Sequence, residues 1–197
     1  MEELTIVDSP LKEGVKILGI VCTSFDRSVD RDVEIIGAIV RGASILEGVI
    51  KTRIAVDGDD ATSKIIKLVK HSSHQYQLKM ILTKGITIAG FNFIDIEKLY
   101  KETNLPVIAI IDRKPDLEEI KLAIKHVSNW ETRYELIEKS NIREVIIKID
   151  EAPIYIQSIG YEEKELDKFL KKITIIGRIP EPIRIARLIA SAEFSEY

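Results

Sequence analysis

The chain has 197 residues, of which 45% are hydrophobic and 31% are charged, and its formal charge at pH 7 is −3. These values describe a soluble globular protein. They exclude a protein-wide attraction to nucleic acid or to an anionic membrane, so any such binding must come from a local patch. The lone Cys22 excludes an internal disulfide and a cysteine-based zinc site. Without a signal peptide or a run of about 20 apolar residues, the sequence predicts a cytoplasmic protein.

The hydrophobic pattern predicts three strands first and then alternating helices and strands. The segment 16–22 is almost wholly apolar, as expected of a strand that is buried on both faces. Asp95 and Asp116 precede apolar-periodic segments, where helix-capping residues are preferred. The predicted strands are 16–22, 33–40, 46–56, 78–82, 106–111, 145–149 and 154–159. The predicted helices are a segment that follows residue 60, then 95–103, 116–126, 130–139, 162–172 and 183–192.

The order of these elements predicts the fold class. Short links between the first three strands favour an antiparallel meander, whereas strands that are joined through helices are expected to lie parallel. This order is typical of the α/β ribonuclease H-like architecture, with a mixed, mostly five-stranded sheet and flanking helices. Because no internal repeat or Pro/Gly-rich hinge divides the chain, residues 1–197 are predicted to form a single domain. The abundance of Ile, Lys, Arg and Glu is typical of a thermophilic protein.

Three carboxylates are crowded into the segment 56–62 (VDGDDAT), between a predicted strand and a predicted helix. Neighbouring acids repel one another and are costly to desolvate, so that a divalent metal or helix N-terminal amides must stabilise them. Asp57 ends the strand, at the sheet edge where ligands usually bind. We therefore predict Asp57 and Asp59 as metal ligands and catalytic residues. The alternative is that Asp59 or Asp60 caps the following helix.

The segment 84–95 (KGITIAGFNFID) is the second unusual stretch. Two glycines bracket a short apolar loop, but the Lys-Ser/Thr pair of a nucleotide phosphate loop does not follow Gly90. Asn92 is predicted to contact a substrate together with backbone amides of this loop. The alternative is that Phe91 and Phe93 are core anchors and that Gly90 permits a tight turn.

Four segments together resemble the archaeal endonuclease dU family, a former domain of unknown function that is related to endonuclease V. These segments are 56–62, 85–95, 106–108 and 180–190. The resemblance implies a ribonuclease H-like fold and cleavage of DNA at deaminated bases such as deoxyuridine, with Mg²⁺ or Mn²⁺ as the cofactor. It implies metal binding and catalysis by Asp57 and Asp59, and a substrate groove that is lined by Asn92, Asp95 and Arg187.

The chain departs from the family pattern at both ends. Family members typically end the first strand with a Gly-Ile-Asp-Asp-like sequence, and here the matching residues 19–22 are Gly-Ile-Val-Cys. The last motif usually carries a histidine where this chain has Arg187. Losing a first-strand ligand leaves too little negative charge to hold two metal ions. Asp26 and Asp30, in the loop after the strand, are the residues that could replace it.

Two main hypotheses follow for the function. The first is an endonuclease V-like protein of DNA repair, with cleavage impaired or lost because Val21 and Cys22 replace carboxylates. The second is a non-catalytic protein that binds nucleic acid or a protein partner on the same scaffold. DNA or RNA is the predicted partner, through local basic patches, a homodimer is left open, and no membrane contact is predicted. A small-molecule or nucleotide site in the 85–90 loop is a third and less supported interpretation.

Overall fold

The computed structural model describes residues 14–139, 141–147 and 152–192. Nine strands and six helices lie in these ranges. The strands are β1 (Lys16–Cys22), β2 (Asp32–Arg41), β3 (Ile45–Ala55), β4 (Leu78–Thr83), β5 (Thr87–Ile88), β6 (Asn92–Phe93), β7 (Val107–Ile111), β8 (Arg143–Val145) and β9 (Ile154–Ile159). The helices are α1 (Ala61–Lys70), α2 (Ile96–Thr103), α3 (Leu117–Ala123), α4 (Trp130–Glu138), α5 (Glu163–Lys172) and α6 (Glu181–Ala192), and a 3-10 turn, Ile124–His126, follows α3.

Seven of these strands form one sheet in the order β3-β2-β1-β4-β7-β9-β8, and β5 and β6 form a separate small hairpin. The pairs β1–β2 and β2–β3 are antiparallel, whereas β4 lies parallel to β1, and β7 parallel to β4. The predicted meander followed by helix-linked parallel strands is therefore confirmed for the first five strands of the sheet.

The last part of the sheet differs from the expectation of parallel strands. Strand β9 pairs antiparallel with β7, and β8 pairs antiparallel with β9. Strand β8 follows helices α3 and α4 and runs in the same direction as β7, as expected of strands that are joined through helices. No helix lies between β8 and β9 in the described residues. Strand β9 runs in the opposite direction and lies between β7 and β8. The predicted strand 145–149 reaches residues 148 and 149, which lie outside the described residues.

The core lies on both faces of the sheet, because alternate residues of each strand point to opposite sides. On β1, Leu18 packs on the face that α1 and α2 cover, and Ile17 packs on the face that α5 and α6 cover. The start of α6 approaches β1 very closely. A Cβ on Gly19 would lie 2.2 Å from the carbonyl oxygen of Pro182, so only glycine permits this contact. The contact fixes α6 against the first strand.

Two predicted helix caps are present. The carboxylate of Asp95 accepts a hydrogen bond from the amide of Lys98 at 2.9 Å, and that of Asp116 accepts from the amides of Glu118 and Glu119 at 3.1 and 3.0 Å. These bonds satisfy amides that have no partner inside their helices. In the described ranges, every helix is too short or too polar to cross a membrane.

Candidate functional site

A cleft of about 350 Å³ opens where the carboxyl ends of β1 and β4 meet. The amide of Lys84 donates to the carbonyl of Ile20 across a distance of 3.4 Å, which holds the end of β4 beside β1. Helix α6 begins against the middle of β1, where Pro182 contacts Gly19, and its second turn brings Arg187 to the cleft. We call this space the strand-end cleft, and it is lined by Val21, Cys22, Phe25, Lys84, Thr87, Ile88, Ala89, Gly90 and Arg187.

The described residues that line the strand-end cleft include two cations and no carboxylate. Lys84 and Arg187 are both exposed, and in the described part of the chain neither forms an ion pair. Val21 and Cys22, the residues that replace the expected first-strand acids, lie at the end of β1 in this cleft. The positions at which the chain departs from the family pattern therefore meet in one place, although Arg187 is far away in the sequence.

The predicted metal ligand Asp57 lies beside the strand-end cleft. A Cβ on Gly90, which lines the cleft, would come within 2.3 Å of Oδ1 of Asp57. Arg27 binds this carboxylate with both ends of its guanidinium group, Nε to Oδ2 and Nη2 to Oδ1, each at 2.6 Å. The amide of Phe91 also donates to Oδ1, at 2.7 Å. Both oxygens of Asp57 are thus engaged by donors from the protein.

These donors determine the charge state of Asp57. Burial alone raises the pKa of the Asp57 carboxyl, but the hydrogen bonds from Arg27 and from the Phe91 amide outweigh it, so that the net pKa is lowered. The carboxylate is therefore ionised at neutral pH, and its charge is compensated by a bidentate guanidinium partner. Arg27 also lies over the ring of Phe91, with its Cζ 4.6 Å from the ring centroid.

The other two acids of the junction have different partners. Asp59 is exposed, and its Oδ2 accepts one hydrogen bond of 3.3 Å from Nδ2 of Asn129. Asp60 is at the N-cap position of α1, but its side chain does not cap the helix. Oδ1 of Asp60 instead accepts from the amide of Ala55 at 3.1 Å and from Nδ2 of Asn92 at 2.8 Å. The capping alternative is thus wrong for the side chain of Asp60.

Asn92 is completely buried, and every polar atom of its side chain has a partner. Oδ1 accepts from the amide of Ala61 at 3.0 Å, so that Asn92 caps α1 from another part of the chain. Nδ2 donates to the carbonyl of Ala55 at 2.9 Å as well as to Asp60. The geometry therefore assigns Asn92 a positioning role: it joins β6 to the junction between β3 and α1, away from solvent.

Asp95 and the loop acids lie apart from the strand-end cleft. Besides capping α2, Asp95 lines a separate cleft of about 300 Å³ with Gln157 and Ser158 of β9. Asp26 accepts from the amide and the hydroxyl of Ser28, and Asp30 accepts from the amide of Asp26 at 2.7 Å. The two loop acids therefore bind within their own turn and do not replace the missing acids of β1.

Arg133 of α4 was not singled out in the sequence. It is only 4% exposed, and it donates through Nη2 to the carbonyl of Asp57 at 2.8 Å and through Nη1 to the carbonyl of Phe91. These bonds join the acidic junction to the segment that follows Gly90. The sequence offers no signal for it beyond an arginine in a predicted helix. Its burial shows only in the structure, where a buried arginine requires polar partners.

The side chains present do not fit Mg²⁺ or Mn²⁺. Such ions require several oxygen ligands, chiefly carboxylates, and the strand-end cleft presents Val21 and Cys22 from β1 and Lys84 from the end of β4. Asp57 already gives both oxygens to Arg27 and Phe91. In the described ranges, no group of three or more His, Cys, Asp and Glu residues is placed to hold a metal ion.

The sheet order and the helices on both faces define a ribonuclease H-like fold of the endonuclease V type. The structure of Ciona intestinalis endonuclease V, in complex with a 24mer DNA containing an inosine followed by a ribo-adenosine, is similar with a TM-score of 0.66. The two sequences are 14% identical, and the match covers 96% of this chain and 90% of that one.

The chain belongs to the endonuclease dU family, whose model matches residues 13–193. A Methanosarcina mazei relative, described as a UPF0215 protein, is 40% identical over 185 residues, which are 93% of each chain. The crystal structure of a protein of unknown function from Archaeoglobus fulgidus is 38% identical and has a TM-score of 0.82, and the match covers 92% of this chain and 99% of that one.

Proposed function

We propose that this protein binds nucleic acid at the carboxyl ends of β1 and β4 and does not cleave it by a divalent-metal mechanism. The observation that carries the proposal is the distribution of charge at this edge of the sheet. Asp57, which lies beside the cleft, is compensated by Arg27, whereas Lys84 and Arg187 are exposed and form no ion pair in the described part of the chain.

Unpaired cations at one edge of a sheet attract a phosphodiester backbone and release its counterions. This local patch is needed because the whole chain carries a net charge of −3 and does not attract polyanions. Family membership and the likeness to an endonuclease V that was solved with DNA support nucleic acid as the ligand. Deaminated DNA is the first nucleic acid to test, since the family is named for deoxyuridine.

Fluorescence anisotropy with labelled single-stranded and duplex DNA and RNA of one sequence tests the proposal. Each oligonucleotide is measured with and without a deoxyuridine or an inosine, at several salt concentrations, in EDTA and in Mn²⁺. We expect affinity that falls as salt rises, with a log–log slope of about −0.7 to −0.9 per phosphate contacted, and equal affinity in EDTA and Mn²⁺. Absence of binding to every oligonucleotide at low salt would remove the proposal.

The second candidate is metal-dependent cleavage of DNA at deaminated bases, with Asp57 and Asp59 as metal ligands and catalytic residues, Asp95 and Arg187 in the substrate groove, and Mg²⁺ or Mn²⁺ bound. The family name favours it. It requires Arg27 to leave Asp57, so that the variant Arg27→Gln should be more active than the wild type. This candidate would be established, and the first overturned, if the protein cleaved uracil- or inosine-containing duplexes in Mn²⁺ and Asp57→Asn abolished the cleavage.

A homodimer remains a separate proposal, which sedimentation velocity tests.

A further inference from the structure

We infer that the strand-end cleft holds one phosphodiester group of a nucleic acid between Lys84 and Arg187, over the apolar surface that Cys22 and Phe25 provide. The inference rests on the proposed function, because it names the part of the ligand that this cleft recognises. The family resemblance implies a metal cation at this place, whereas we infer that the cleft binds an anion.

The backbone holds both cations in place. Lys84 directly follows β4, and its amide is bound to the carbonyl of Ile20. Arg187 lies in the second turn of α6, whose first turn packs against Gly19 of β1. Both side chains therefore project from elements that are fixed to the same strand, and a ligand in the cleft does not have to order a loop before it binds.

The chemistry of the two side chains suits a phosphate group. The planar guanidinium of Arg187 can donate two parallel hydrogen bonds to two phosphate oxygens, and the ammonium of Lys84 supplies a compact charge. No described side chain that lines the cleft is acidic, so a bound phosphate would not face an uncompensated anion. Asp57 lies beside Gly90, does not itself line the cleft, and is compensated by Arg27.

The size and the lining of the cleft indicate a ligand that is larger than a free phosphate ion. A space of about 350 Å³ is larger than one phosphate group. The partly exposed side chains of Cys22 and Phe25 provide apolar contacts that suit the carbons of a sugar ring rather than a second charged group. We therefore expect the phosphate to enter with its sugar, as part of a chain.

The test compares Lys84→Gln, Arg187→Gln and the double variant with a matched control, Lys171→Gln/Lys172→Gln. The control removes two exposed lysines from the last turn of α5, which does not line the cleft. We expect the double variant to lose about tenfold or more in oligonucleotide affinity and the control to lose less than about twofold at the same salt. All four proteins are first compared by thermal unfolding, so that a loss of folding is not taken for a loss of binding.

The salt dependence and the double-mutant cycle show whether both residues bind the same phosphate. If they do, the double variant loses only one phosphate contact, and its log–log slope changes by about 0.7 to 0.9. The effects of the single variants are then non-additive, because removing one partner weakens what the other contributes. A slope change of about twice that size with additive effects would place the residues on separate phosphates and overturn the inference.

Cys22 provides a reporter inside the cleft because it is the lone cysteine of the chain. We expect a saturating oligonucleotide to slow the alkylation of Cys22 by iodoacetamide in the wild type and in the control. The double variant should not be protected at an oligonucleotide concentration that saturates the wild type. If the wild type binds oligonucleotide but Cys22 is not protected, or if the control loses as much affinity as the double variant, the inference is wrong and the proposed function stands. If no oligonucleotide binds, both the proposed function and this inference about nucleic acid are wrong. An anion site would still be supported if inorganic phosphate protected Cys22 in the wild type and not in the double variant.

Discussion

The acidic junction, residues 57–60, and the strand-end cleft are neighbours that use their charged side chains in opposite ways. In the junction, Asp57 is bound by Arg27 and Asp60 is bound by Asn92, so that these two acids stabilise the fold, whereas Asp59 is exposed. In the cleft, Lys84 was not singled out in the sequence and Arg187 stood out only through the family resemblance, and no ion pair in the described part of the chain engages either of them.

A charged side chain can bind a ligand only if other groups of the protein do not already occupy it. A carboxylate that already accepts two or three hydrogen bonds has little to offer a metal ion, because the ion would have to displace those donors. An exposed cation without an ion-pair partner gives up hydration water when a phosphate binds, but no bond within the protein has to break. The variants below test whether the junction is structural and the cleft is free.

The largest expected effect is that of Arg133→Met. This change keeps an unbranched apolar stem in the buried position but leaves the carbonyls of Asp57 and Phe91 without their donors. We expect the free energy of unfolding to fall by about 3 kcal/mol, since unsatisfied buried polar groups are costly. Urea denaturation measures it. Thr132→Ala, an exposed change on the same helix, should shift the free energy by less than about 0.5 kcal/mol. A loss under about 1 kcal/mol for Arg133→Met would show that the junction does not depend on this arginine.

Asn92→Asp should have the next largest effect. The substitution removes the donor to Ala55 and places a second carboxylate against Asp60 in a buried position. We expect the protein to lose about 2 kcal/mol at neutral pH. Because the introduced carboxylate would lie against the charge of Asp60, the loss should become smaller as the pH is lowered from about 7 to about 5. A loss that is equal at both pH values would contradict the assigned contact with Asp60.

Several parts of the fold could be predicted from the sequence because they depend on local pattern. The apolar runs at 16–22 and 154–159 match β1 and β9, and the caps at Asp95 and Asp116 follow from residue type and position. The direction of β9 could not be predicted, since it depends on which strand accepts it as a neighbour.

The partners of the junction could not be predicted for a similar reason. Arg27 lies 30 residues before Asp57 and Arg133 lies 76 residues after it, and no local spacing marks such pairs. The sequence did mark Val21, Cys22 and Arg187 as departures from the family pattern. Only the structure brings them together in one cleft with Lys84.

Arg27→Gln should have a smaller effect that depends on pH. The pKa of Asp57 is lower in the folded protein than its ordinary value of 3.8, so that the ionised carboxylate stabilises the fold above that value and the stabilisation is lost as the pH falls through the folded pKa. Without Arg27, the folded pKa should rise and less stability should be lost on acidification. We expect a difference of about 1 kcal/mol near neutral pH, because Arg27 is half exposed and solvent screens the pair, and a smaller difference at about pH 2. Urea denaturation across this range measures it, and parallel curves for the two proteins would contradict the assigned ion pair.

The smallest expected effect is that of Asp59→Asn, and it separates the two candidate functions. Asp59 is exposed and accepts a single hydrogen bond of 3.3 Å, so that its loss should change the free energy of unfolding by less than about 0.5 kcal/mol. If the edge of the sheet binds phosphates, removing this negative charge should leave oligonucleotide affinity unchanged or raise it by about twofold at low salt, because one repulsive charge is gone. A metal ligand would behave in the opposite way, since its loss would weaken Mn²⁺ binding and any cleavage that depends on it. Anisotropy and a cleavage assay on the same preparation distinguish the two results, and a loss of both affinity and cleavage would return Asp59 to the role that its sequence position first indicated.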